Sequence, residues 1–145
     1  MGSVLSLDAK TYRNTGSYGS PTWNLIDNIK DLSIPLDKAD FDLSTRGNGG
    51  YRAYAGTLKD VQIDFNMVWD PSDADQEALR DAYLNNTAIE FLFLDGLVAT
   101  TGSQGPRLSM IVTKFERTEN LEEALMVNVS LKPAYSSNAP VWYEV

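Results

Sequence analysis

Residues 40–69 read DFDLSTRGNGGYRAYAGTLKDVQIDFNMVW, and two different patterns meet inside them. From Val61 onward Val61, Ile63, Phe65, Met67 and Trp69 alternate with Gln62, Asp64, Asn66 and Val68. A period of two is the signature of a strand with one buried and one mostly polar face. The segment before it, Asp40 to Asp60, has no such period and carries Gly47, Gly49, Gly50 and Gly56. It is too long for a hairpin turn, which usually takes about two to five residues. The reading is therefore one long loop over about 40–60. Arg46, Arg52, Tyr51 and Tyr54 are contact-making residue types, and no catalytic set accompanies them. Long ordered loops in compact domains are usually functional, so this one reads as a surface built to touch another protein.

Outward from this point the chain is rich in strands. Leu125, Val127, Val129 and Leu131 alternate with Met126, Asn128, Ser130 and Lys132. Leu32, Ile34 and Leu36 alternate with Asp31, Ser33, Pro35 and Asp37, and Pro35 predicts an edge or a bulge because it cannot donate to a ladder. Ile89 to Leu94 is apolar on both faces, as a central or doubly covered strand requires. Pro106 to Glu116 is a further long strand; Val4 to Tyr12 and Thr22 to Ile26 are weaker ones. One helix is predicted over Asp73 to Leu84, about 72–84 with its cap. Ser72 is the expected N-cap, Asp73, Asp75 and Glu77 complement the helix dipole, and Asn85-Asn86 offers a left-handed C-cap. Ala74, Ala78, Leu79, Ala82 and Tyr83 form its expected apolar stripe. The order predicts an α+β, mainly β fold: a sheet sandwich or barrel with one helix packed on it.

Composition narrows the function classes. At 145 residues the chain is expected to form one domain, 1–145, large enough for its own core. There is no Cys and no His, so thiol chemistry, the commonest general base and the commonest metal ligand are all missing. The net charge of −8 argues against a protein that grips phosphates. It is compatible with one that nucleic acid slides past. The first fourteen residues have no apolar run of signal-peptide length, so cytoplasmic synthesis is the default expectation.

The remaining candidates for chemistry have plainer explanations. Asp40 and Asp42 share a strand face but lack a nucleophile or metal partner. Asp73, Asp75 and Glu77 read as helix-dipole charge rather than a metal cluster. Gly102-Ser103-Gln104-Gly105 lacks the Lys-Ser/Thr of a phosphate-binding loop and reads as a turn. No catalytic, cofactor or metal site is expected. Trp142 and Tyr143 near the C-terminus must dock on their own domain or on a neighbour, and exposed aromatics favour interfaces.

Taken together, the residues resemble the major tail tube proteins of long-tailed, non-contractile bacteriophages, including those in prophages. The resemblance spans nearly the whole chain. It is carried by Gly16-Ser17-Tyr18-Gly19-Ser20-Pro21-Thr22-Trp23, Ser44-Thr45-Arg46-Gly47-Asn48, Gly56-Thr57-Leu58-Lys59-Asp60 leading to Trp69-Asp70, Arg80-Asp81-Ala82-Tyr83-Leu84-Asn85-Asn86-Thr87, Ile89-Glu90, Asp95-Gly96 and Leu131-Lys132-Pro133. It implies a β-sandwich-like tube fold with a flanking helix and with N- and C-terminal arms. It also implies a virion protein whose hexameric rings stack into a hollow conduit for the genome. Tape-measure, tail-terminator and distal tail proteins are the further partners it implies, DNA passes through without specific binding, and no membrane is involved. Ring-stacking candidates are Arg46, Asn48, Tyr51, Arg52, Tyr54, Trp142 and Tyr143. Candidates to line the bore are Gln62, Asp64 and Asn66 with Asn128, Ser130 and Lys132, unless that face meets outer solvent. The rival readings are the inner tube of a contractile tail or type VI-like secretion system, a small-ligand-binding β-barrel, and an enzyme using carboxylates alone.

Overall fold

Ile63, Phe65 and Met67 point to one side of a strand, and a second strand answers them with Val127, Val129 and Leu131. The computed structural model describes residue 5 and residues 8–145. In chain order the strands are β1 (Lys10–Asn14), β2 (Trp23–Ile26), β3 (Ile29–Ser33), β4 (Leu36–Asp42), β5 (Tyr54–Val61), β6 (Ile63–Val68), β7 (Ala88–Leu94), β8 (Gln104–Thr118), β9 (Met126–Pro133) and β10 (Val141–Glu144), with helix α1 (Ala74–Asn85) between β6 and β7. Among the described residues the fold is mainly β with one α-helix, as expected, and its strands pair antiparallel.

The main sheet runs β2-β1-β7-β8-β9-β6-β3, and β10 joins it on β8. Strands β2 and β3 are consecutive in the chain yet lie at opposite ends of that order. The sheet therefore curls, bringing the end of β2 next to the start of β3 while leaving both as unpaired edges, around a core of Ile63, Phe65, Met67, Phe91, Phe93, Leu108, Met110 and the three residues of β9. Leu79 and Ala82 of α1 pack into the same core. Strand β7 is covered on both sides, as its unbroken apolar run predicts. Phe91 and Phe93 face the main core, while Leu92 and Leu94 join Tyr12 under Trp23, Val98, Tyr143 and Val145.

Several local expectations are corrected. Strand β3 is an edge of the main sheet, as Pro35 predicts, but Pro35 makes no bulge within a continuous strand: it separates β3, which stays in the main sheet, from β4, which leaves it. The N-cap of α1 is Asp73, whose carboxylate accepts from the Asp75 N–H at 3.1 Å; Ser72 instead donates to Asp70. The buried stripe of α1 is Asp75, Gln76, Leu79 and Ala82, with Tyr83 on the exposed side. The two polar members can be buried because both are fully engaged: Asp75 accepts from Arg13 and Asn24, and Gln76 bonds the backbone of Val68 and Asp70. Asn86 ends the helix at φ +54°, as expected. The C-terminal residues form a strand that periodicity did not disclose. Strand β10 pairs with the start of β8, and Val145 bonds residues 102 and 103. Of the expected first strand, residues 4, 6 and 7 lie outside the described residues.

Candidate functional site: an unpartnered hairpin and a polar sheet face

The expected loop over 40–60 is instead the distal part of a β-hairpin. Strand β4 pairs antiparallel with β5 from Leu36↔Val61 to Asp42↔Tyr54, with a bulge between Lys38 and Asp40. Only residues 43–53 are irregular, closed by the Leu43 N–H donating to the Ala53 carbonyl at 2.7 Å. Tyr54 to Gly56 pair with Asp42 to Asp40, and Lys59 and Asp60 with Lys38 and Asp37, although this stretch lacks an apolar period. Polar residues stay in such a strand when neither face is buried.

Among the described residues this ribbon stays largely in solvent. Every residue of β4 is exposed, and in β5 only Val61 is buried. Leu36, Phe41, Leu43, Tyr54 and Leu58 all stand in solvent, Leu58 at 81% exposure and Tyr51 at 80%. An isolated two-stranded hairpin is marginally stable at best. Its register adds further tension: Asp37 lies opposite Asp60, and Lys38 opposite Lys59. Like charges placed directly across a ladder destabilise it. Lys38, Lys59, Arg46 and Arg52 make no ion pair among the described residues. Arg46 lies in the tip's 3-10 turn with Asn48, whose side chain lies outside the described residues. Gly49 and Gly50 take positive φ there, at +64° and +84°, where a side chain would be strained.

The other predicted group converges on one face. Asn66 pairs with Asn128, and Asp64 with Ser130, across β6 and β9. The Ser130 hydroxyl donates to Asp64, Asn128 donates to the Thr118 hydroxyl at 3.0 Å, Gln62 reaches Asp64 at 3.4 Å, and Asn66 accepts from the Asp31 N–H at 2.9 Å. The face continues onto β8 through the Lys114–Glu116 pair at 3.2 Å. Lys132 stands exposed on it without an ion pair among the described residues. The C-terminal aromatics divide. Tyr143 packs edge-on against Trp23 at 6.3 Å, whereas Trp142 points outward, donating to Gln104 at 3.0 Å.

This architecture is shared with known tubes. The SPP1 tail tube superposes with a TM-score of 0.77 over 99% of this chain and 80% of that one, at 14% identity. The chain has the fold of phage tail tube proteins. The tail of an empty gene transfer agent particle, described with C6 symmetry, matches at TM-score 0.72, 16% identity and 99% coverage of both chains. The sheath-tube complex of an extracellular contractile injection system matches at 0.58, with 10% identity over 99% of this chain and 93% of that one. No family model matches the chain, and no curated protein does. The tail tubes it resembles are structural components, not enzymes.

On this tail tube fold an open cleft of about 460 Å³ is lined by Arg13, Asn14, Tyr18, Glu90 and Ser109 among others. It is polar, unlike the apolar concavity a small-ligand barrel requires. Beside it lies a cluster that sequence reasoning missed. Arg107 is 8% exposed, pairs with Glu90 at 2.8 Å and donates to the Tyr18 carbonyl at 2.8 Å. Its guanidinium lies 3.9 Å from the Tyr18 ring centre and 5.0 Å from that of Trp23. The Gly16–Trp23 segment is thus clamped onto the sheet by one buried cation. An arginine inside the otherwise apolar stretch around Leu108 and Met110 was the signal available in the sequence. A charge at a core position must have a partner.

Proposed function

We propose that this protein is the structural subunit of a hollow phage tail tube, six copies closing a ring and rings stacking along an axis. The observation that carries the reading is the fold likeness to the SPP1 tail tube over 99% of the chain. The C6 symmetry of the similar gene transfer agent tail supports the count of six. The hairpin supports the stacking role, because it exposes apolar side chains and cations that make no ion pair among the described residues. Arg46, Asn48, Tyr51, Arg52 and Tyr54 are assigned to it, with Trp142 contributing from the C-terminal strand while Tyr143 is engaged within its own domain. The edge strands β2 and β3 allow neighbours in a ring to extend one another's sheets. The face bearing Gln62, Asp64, Asn66, Asn128 and Ser130 then lines the bore. Its polar groups bond one another, so few donors are left to hold phosphate and DNA can slide. The subunit would be made in the host bacterium and reside in the virion tail, with tape-measure, terminator and distal tail proteins at the ends of the tube. A non-contractile tail is preferred over a contractile tube because its likeness is the stronger one, 0.77 against 0.58. Negative-stain microscopy of the purified protein over a wide concentration range, with a chelator present, tests the reading. Rings or tubes are expected; a strictly monomeric protein under all conditions overturns it.

A further inference from the structure

Two charged tips lie at opposite ends of the same strand pair. The hairpin leaves the sheet where β5 passes into β6, beside the Ile63↔Leu131 pairing. At the far end of β6, Val68 pairs with Met126 and the Trp69 N–H donates to the Leu125 carbonyl at 2.9 Å. There β8 and β9 are joined by residues 119–125, Glu-Asn-Leu-Glu-Glu-Ala-Leu. The separation follows from β6 itself, whose six residues span roughly 17 Å at the usual strand rise.

The chemistry of the two tips is complementary. The hairpin tip, residues 43–53, has Arg46 and Arg52 as its only charged residues, beside exposed Leu43 and Tyr51. The β8–β9 loop has Glu119, Glu122 and Glu123 and no cation, and Leu121 in it is fully exposed at 101%. Glu119 holds Arg117 at 3.0 Å and Glu123 accepts from Asn120, so the loop is a formed turn, and Glu122 makes no ion pair among the described residues. The whole hairpin, Leu36 to Val61, balances Lys38, Arg46, Arg52 and Lys59 against Asp37, Asp40, Asp42 and Asp60. The net charge of −8 therefore sits entirely on the rest of the subunit.

We propose that the occupant of the hairpin tip is the 119–125 loop of a second copy of this chain, with Arg46 and Arg52 meeting Glu122 and Glu123, and Leu43 and Tyr51 covering Leu121. Two different surfaces at opposite ends of one subunit make a head-to-tail contact. Such a contact repeats without closing and so propagates a filament. The pairing rests on the tube reading and adds to it the receptor surface and the polarity of stacking.

Charge exchange tests it. Arg46→Glu/Arg52→Glu and, separately, Glu122→Arg/Glu123→Arg are each expected to abolish sedimentable tubes while leaving the subunit's melting temperature unchanged. A chain carrying all four changes restores them. The lack of cysteine provides a second readout: in a Gly47→Cys/Leu121→Cys chain, oxidation of assembled protein gives a ladder of disulfide-linked multimers. Gly47 accepts a side chain, since an added Cβ meets nothing closer than 3.6 Å. Wild-type tubes that survive either reversal, a quadruple variant that stays monomeric, or assembled cysteine protein that does not cross-link would each overturn the pairing and leave the tube reading standing. Wild-type protein that never assembles overturns both.

Discussion

The curled sheet and the β4–β5 hairpin are made of the same element, an antiparallel strand pair, and are held in opposite ways. In the β6–β9 pair the inward positions are all apolar, and Ile63, Met67, Val127 and Leu131 have no exposed surface. In the hairpin both faces are wet, like charges stand opposite each other, and backbone hydrogen bonds are the main internal tie. The sheet can fold as a single subunit. The hairpin is stabilised only marginally by itself and is completed by whatever covers it. A protein that must fold alone and then join copies of itself gains from this division, because interface residues can be chosen without regard to the core.

Phe91→Ala removes a ring with no exposed surface and is expected to cost about 3–5 kcal/mol of stability. Phe41→Ala, on the hairpin, is expected to stay within about 0.5 kcal/mol in the isolated subunit. Denaturant melts of both variants decide this, and a comparable loss for Phe41→Ala would show that the hairpin is packed on its own subunit. A smaller effect is expected at the buried pair. Glu90→Gln leaves the Arg107 guanidinium without its counter-charge but keeps its bond to Tyr18 and its ring contacts. A loss of about 1–3 kcal/mol is expected, together with faster amide exchange in the Gly16–Trp23 segment.

The smallest effect lies at the neck of the hairpin. Ser44 bonds through its hydroxyl and its N–H to Asp42 and holds that carboxyl below its ordinary value of 3.8. A lowered folded-state value means the stabilisation is present above about pH 3.8 and is lost as pH falls through the folded value. The Ser44 and Ala53 amide resonances are expected to shift together on acidification below that point. In Asp42→Asn that pH dependence disappears.

Much of the sheet was legible because burying one face imposes a period of two, visible in Val61 to Trp69 and in Leu125 to Lys132. The helix was legible from its caps, within one residue at each end. The hairpin was misread as a loop because an element with no buried face has no reason to alternate. Strand β10 went unseen because Val141 to Glu144 is too short to show a period. The candidate site was partly readable. Alternation put the polar residues of β6 and of β9 each on one side of its own strand, the family resemblance grouped them, and the hairpin's arginines and tyrosines were singled out by residue type.

By itself the sequence determined the class of the fold, the lack of thiol and imidazole chemistry, and the acidic surface, since these follow from composition and local period. Only the tertiary structure decided that Pro35 sends the chain out of the sheet, that Arg107 is buried under Tyr18 and Trp23, and that Tyr143 and Trp142 face opposite ways. It also decided that a basic tip and an acidic loop sit at opposite ends of β6. These are matters of which distant segments meet. That choice is made by the closing of the curled sheet around one core, a global balance of packing and strand pairing that no local pattern records.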